Sequence, residues 1–96
     1  MYSFEWDEKK NKGNRKKHGI SFEEAQTVFY DENALLEYDE DHSHDEDRFR
    51  LLGRSYIGNV LLVVYCIRRY DIIRIVSSRK ATVRESEAYE RRIADE

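Results

Sequence analysis

The chain contains no proline and one cysteine, and no apolar stretch approaches the roughly 18 to 20 residues of a membrane span. Without a second cysteine there is neither an internal disulfide nor a partner for a thiolate metal site. Cys66 lies in the apolar run LLVVYCI and is expected to be a buried, inert thiol. The absence of proline goes with the absence of any low-complexity linker, internal repeat or domain boundary. The first ten residues, MYSFEWDEKK, lack the apolar core of a signal peptide, so a cytoplasmic location is expected.

Basic residues are absent from one block, 31–47, which holds nine of the 20 acidic residues. Outside it stand 17 basic and 11 acidic residues. The formal net charge of −3 therefore hides a basic body beside an acidic segment, and basic surface is what attracts a polyanion such as RNA. With 96 residues, 40% hydrophobic content and dense β-branched runs at 60–67 and 72–76, one folded α+β domain spanning 1–96 is expected.

Residues 2–6 alternate loosely as a short strand, and Asp7 has the chemistry of a helix N-cap. A polar helix over 8–18 should stop at Gly19. Ser21 and Glu24 have the spacing of a capping box, and Phe22, Ala25, Val28 and Phe29 share one helical face, predicting a second helix to about residue 30. A strand over 34–38 gives way to the loop DEDHSHDED. Strands follow from Arg48, over 60–67 and over 72–78, with turns at 57–59 and 68–71. A second capping box, Thr82 to Glu85, opens a last helix reaching about residue 93. The order is β-α-α-β-β-β-β-α, which predicts an antiparallel sheet with helices covering one face.

In the first helix Lys10, Asn14, Lys17 and His18 fall on one side by helical spacing. Residues 9–17 carry six cations, Lys9, Lys10, Lys12, Arg15, Lys16 and Lys17, a density that suits phosphates or an acidic partner. His18 faces the negative end of the helix dipole, where it either caps the last carbonyls or binds phosphate and gives a proton. Arg48, Arg50 and Arg54 project to one side of their strand. Arg74 interrupts an apolar strand and needs a counter-charge, which the acidic segment has; an ion pair and a catalytic role are both open. Arg79 and Lys80 end that strand. The cluster Asp41-His42-Ser43-His44-Asp45-Glu46 matches no metal-ligand spacing, leaving proton transfer by His42 or Glu46, or a solubilising acidic loop.

Three segments then resemble one family: FEWDEKKNKGNRKKHGISFEEA at 4–25, DHSHDEDRF at 41–49 and RIVSSRKATVRESEAYE at 74–90. In order and spacing they are similar to the BrnT ribonuclease toxins of bacterial type II toxin–antitoxin systems. The resemblance implies a compact RelE-like fold and a metal-independent endoribonuclease with no cofactor. It also implies neutralisation by a BrnA-type antitoxin, whose DNA-binding half brings the pair to its own promoter. The family segments place Trp6, Asp7, Lys10, Asn14, Lys17, His18 and Gly19 in the first block. They place His42, Ser43, Glu46 and Arg48 in the second, and Arg74, Ser77, Arg79, Ala81, Glu85 and Tyr89 in the third. The lead-in to the second block lacks the proline common there in the family, and Lys80 stands where arginine is common; neither departure removes a chemically needed group.

Metal-free RNA cleavage needs a proton acceptor for the ribose 2′-OH, a proton donor for the leaving 5′-oxygen and cations for charge developing on phosphorus. Arg79 and Arg48 suit the phosphate, with Lys17 as an auxiliary. His18 or His42 suits the acid and Glu46 the base. Lys10, Asn14, Lys17, Arg74 and Lys80 are the expected RNA contacts. The competing expectations are a non-catalytic module binding nucleic acid or a partner, and a gyrase-poisoning toxin of the same fold class.

Overall fold

The computed structural model describes residues 2–95. Five strands, β1 (Ser3–Glu5), β2 (Leu35–Tyr38), β3 (Arg48–Arg54), β4 (Val60–Arg68) and β5 (Ile72–Lys80), form one sheet in the order β1-β5-β4-β3-β2. The helices are α1 (Glu8–His18), α2 (Phe22–Gln26) and α3 (Val83–Ala94), with 3₁₀ turns at Thr27–Tyr30 and Glu40–His42. Local signals set the helix ends as their chemistry dictates. Asp7 accepts the amides of Lys9 and Lys10, and Gly19 takes the left-handed conformation (φ 74°) that ends α1. Thr82 and Glu85 complete a reciprocal capping box.

The sheet departs from the antiparallel expectation at its edge. β1 runs parallel to β5, pairing Phe4 with Ile73, so the sheet is mixed. The connection between them runs through α1, α2 and the strands β2, β3 and β4, and parallel neighbours need such a long connection. The helices also cover both faces, not one. β4 is apolar on both sides: Leu61, Val63 and Tyr65 pack under Ile20, Phe22, Ala25 and Val28 from the α1–α2 layer, whereas Leu62 packs with Leu52 and Tyr89 beneath α3. A strand that is hydrophobic on both faces demands cover on both. α3 covers only part of its face.

Two local expectations also change. Ser21 caps α2 through the Glu24 amide, but the Glu24 carboxylate turns inward instead of completing the box. It accepts hydrogen bonds from Ser55 Oγ (2.6 Å) and Asn59 Nδ2 (2.9 Å), tying α2 to the β3–β4 hairpin. The polar helix α1 has its own reason to dock. Asn11 and Asn14 are its buried residues, and Asn14 donates to the Ile20 (2.8 Å) and Ser78 (2.7 Å) carbonyls while accepting the Ser78 amide (3.2 Å). Amide pairing to backbone replaces the apolar stripe. Among the described residues no helix is long and apolar enough to cross a membrane.

Candidate active site

A β-bulge decides which side chains meet. Along β5, Arg79 stands five positions after Arg74, an odd offset, so simple alternation sends them to opposite faces. The β4–β5 register shifts between Val64 and Tyr65: Cys66 pairs with Arg74, Val64 with Ser77 and Leu62 with Arg79, leaving Val76 as the extra residue. Parity flips, and both arginines come to the face that α3 leaves partly open. Register continues the rows across the sheet. Glu5, Arg74, Cys66 and Arg48 form one row, and Ser77, Val64, Arg50 and Glu37 the next. Arg48, Arg50, Arg74 and Arg79 thus share one surface, joined near the strand ends by Arg68.

Carboxylates hold most of these cations in place. Arg74 pairs with Glu5 (2.8 Å), so its counter-charge comes from β1 and not from the acidic segment. Arg50 binds Glu37 and lies 3.9 Å from Asp39, and Arg68 binds Glu46 (3.1 Å). Arg79 grips Glu85 with both terminal nitrogens (2.8 and 3.1 Å), and Nη1 also donates to the Lys80 carbonyl. Its side-on edge, Nε–H with the second Nη2–H, has no partner among the described residues. A guanidinium fixed by one carboxylate and open along its other edge is built to take two phosphate oxygens. Arg48 has no side-chain ion pair among the described residues.

The Arg79 hydrogen bonds, with the Thr82 amide, outweigh burial and hold the Glu85 carboxyl at about 2. Its ordinary value is 4.5. A carboxyl depressed by folding stabilises the protein above the unfolded value and loses that contribution as pH falls through the folded one. Denaturant melts between pH 6 and pH 2.5 should therefore show stability declining below about pH 4.5. Glu85→Gln, which keeps the cap geometry, should flatten part of that decline; an unchanged slope would disprove the coupling.

The acidic segment also reaches this face. Asp39 is buried by its own loop and takes the His42 Nδ1 hydrogen at 3.0 Å. The bond from His42, with the nearby Arg50 charge, keeps the Asp39 carboxyl below its ordinary value. An ionised Asp39 assigns the proton to Nδ1 and leaves Nε2 on a ring that is 64% exposed. Ser43 fastens the loop, donating to the Asp39 carbonyl and accepting the Arg48 amide (2.9 Å). Burial pushes the Glu46 carboxyl up, but hydrogen bonds from Cys66 and Arg68 and the charges of Arg68 and Arg48 bring it below its ordinary value. Cys66 is buried, and that burial, with Glu46 beside it, raises its thiol pKa.

Of the residues singled out in the sequence, Arg48, Arg74, Arg79, His42 and Glu46 gather on or beside the open face. The others do not join them. Lys10, Lys17 and His18 are exposed on α1, in the layer across the sheet, and Asn14 is buried with its amide committed to Ile20 and Ser78. Lys80 pairs with Leu61, whose side chain belongs to the α1–α2 core, so it faces away from Arg79. Sequence reasoning passed over Asp39, Glu37 and Glu5; the two-residue periodicity around each arginine gives no hint of counter-ions drawn from distant strands. Among the described residues no three His, Cys, Asp or Glu side chains converge as metal ligands.

A family model described as the ribonuclease toxin BrnT of type II toxin–antitoxin systems matches residues 6–85. No curated relative matches the chain. Among solved structures, the Brucella abortus ribonuclease toxin BrnT superposes with a TM-score of 0.66 at 19% sequence identity, over 85% of this chain and 99% of that one. That likeness shows a shared α+β architecture, and the family match covers the α1 helix, the His42 loop and the arginine-bearing strands alike. The chain belongs to the BrnT family of ribonuclease toxins of type II toxin–antitoxin systems.

Proposed function

We propose that this protein is a metal-independent endoribonuclease of the RelE-like class, acting in the cytoplasm on the open arginine face. The observation that carries the proposal is that Arg79, with one edge free, and Arg48, without an ion pair among the described residues, share this face, with His42, its ring oriented by Asp39, beside it. The substrate 2′-oxygen attacks the adjacent phosphorus, and the bond from phosphorus to the 5′-oxygen breaks. A 2′,3′-cyclic phosphate and a 5′-hydroxyl result. Glu46, ionised, accepts the 2′-OH proton, and doubly protonated His42 gives its Nε2 proton to the departing 5′-oxygen. Arg79 and Arg48 take the charge that grows on the non-bridging oxygens, where preoriented donors count most. His18, in the opposite layer, is left out of the chemistry. Lys10 and Lys17 add long-range attraction for the RNA backbone.

A BrnA-type antitoxin neutralises the enzyme by covering this face with an acidic or apolar segment, and its DNA-binding half directs the pair to promoter DNA. The test is cleavage of a structured RNA by purified protein in EDTA, without antitoxin. Cyclic-phosphate ends are expected, and His42→Ala should lower the rate by about 10²- to 10⁴-fold while the fold persists. Intact RNA under these conditions, with well-folded protein, sinks the proposal and favours the gyrase or pure-binding alternatives.

A further inference from the structure

Arg84 stands where the fold has least use for it. It is the second residue of α3, after the N-cap Thr82 and Val83, so its charge lies at the positive end of the helix dipole. The side chain is exposed and has no ion pair or hydrogen bond among the described residues. A cation that opposes its own helix and gains no counter-charge points to a contact outside the chain. Its neighbour Glu85 is the residue that holds Arg79.

The surroundings name that contact. Arg84 borders a cleft of about 520 Å³ between α3 and β2. One register row makes its floor: Leu35 pairs with Leu52, Leu52 with Leu62 and Leu62 with Arg79, so three leucines lead across about 14 Å of sheet to the guanidinium. Tyr89 of α3 covers Leu52 and Leu62, and the cleft opens between Ala88 and the partly exposed Leu35. Its two carboxylates, Glu37 and Glu85, are committed to Arg50 and Arg79, which leaves the charge of Arg84 over. An apolar slot with an uncompensated cation at its rim fits single-stranded RNA, which has a base to lay on apolar side chains and a phosphate for the arginine. We propose that this cleft holds the nucleotide next to the scissile phosphate, with its base against Leu35 and Ala88 and its outer phosphate on Arg84. The inference rests on the arginine face being the RNA site, since Arg79 lines both.

The experiment measures binding of a short single-stranded 2′-O-methyl RNA, which lacks the attacking hydroxyl and is not cut. The proteins are wild type, Arg84→Ala, Arg84→Lys, Ala88→Glu and Arg48→Ala. Arg84→Ala should weaken binding about ten-fold and reduce the slope of log affinity against log salt by about 0.7, the share of one phosphate on a single strand. It should melt no lower than wild type, because the cation opposes the helix dipole. Arg84→Lys should retain most of the affinity. Ala88→Glu, which fills the slot with a carboxylate on a residue that suits a helix, should weaken binding at least as much as Arg84→Ala. If Arg48→Ala weakens binding and neither Arg84→Ala nor Ala88→Glu does, the cleft is not a subsite and the arginine face stands. If wild type neither binds this oligomer nor cuts unmodified RNA in EDTA, both fall together.

Discussion

Replacing Arg79 by alanine is expected to lower single-turnover RNA cleavage by about 10²- to 10³-fold, the usual loss when one preoriented donor to a developing oxyanion is removed. Arg79→Lys should recover little of it. Lysine keeps the charge but has no planar fork to hold Glu85 with one edge and phosphate with the other. Stability should change less than activity, because both partners of the Arg79–Glu85 pair remain partly solvated and such pairs contribute modestly. Circular dichroism melts beside the cleavage assay separate the two effects. A folded Arg79→Ala protein that cuts RNA at the wild-type rate would remove Arg79 from the site.

Asn14→Ala is expected to be the most destabilising single change on α1. The substitution strands the Ile20 carbonyl and both backbone groups of Ser78 inside the protein, at about 1 kcal/mol or more each. The sum, about 3 kcal/mol, corresponds to a fall in melting temperature of about 15 °C for a domain of this size. Ser78 lies next to Arg79 just beyond the β5 bulge, so the same amide that docks α1 also steadies the segment whose parity turns Arg79 outward. Neighbouring Lys17→Ala, on the solvated side, should melt within a few degrees of wild type. A small Asn14→Ala effect in thermal melts would show that α1 is held by something other than its asparagines.

Much of the local architecture was legible in the residues. Asp7, Gly19 and the Thr82–Glu85 box mark helix ends because capping depends on a few adjacent atoms, and each behaves in the structure as its type dictates. The alternation of Arg48 and Arg50 with Phe49 and Leu51 put two arginines on one side and the core on the other, and the structure keeps that division. The same logic misled at Asn14, where helical spacing grouped it with Lys10 and Lys17. A buried amide and a solvated one look alike in sequence, and only the approach of β5 distinguishes them.

The sequence by itself determined the elements, the basic body with its acidic segment, and the segments that mark the family. Tertiary structure alone decided the parallel β1–β5 pair, the covering of both sheet faces, and which cations share one face. Those outcomes depend on contacts between residues far apart in the chain: Glu5 with Arg74, Asn14 with Ser78, Asp31 with Tyr89 (2.6 Å). The bulge at Val76 is the clearest case. One extra residue reverses the facing of everything after it, and its place is set by the partner strand and the helix behind it, not by any propensity of its own.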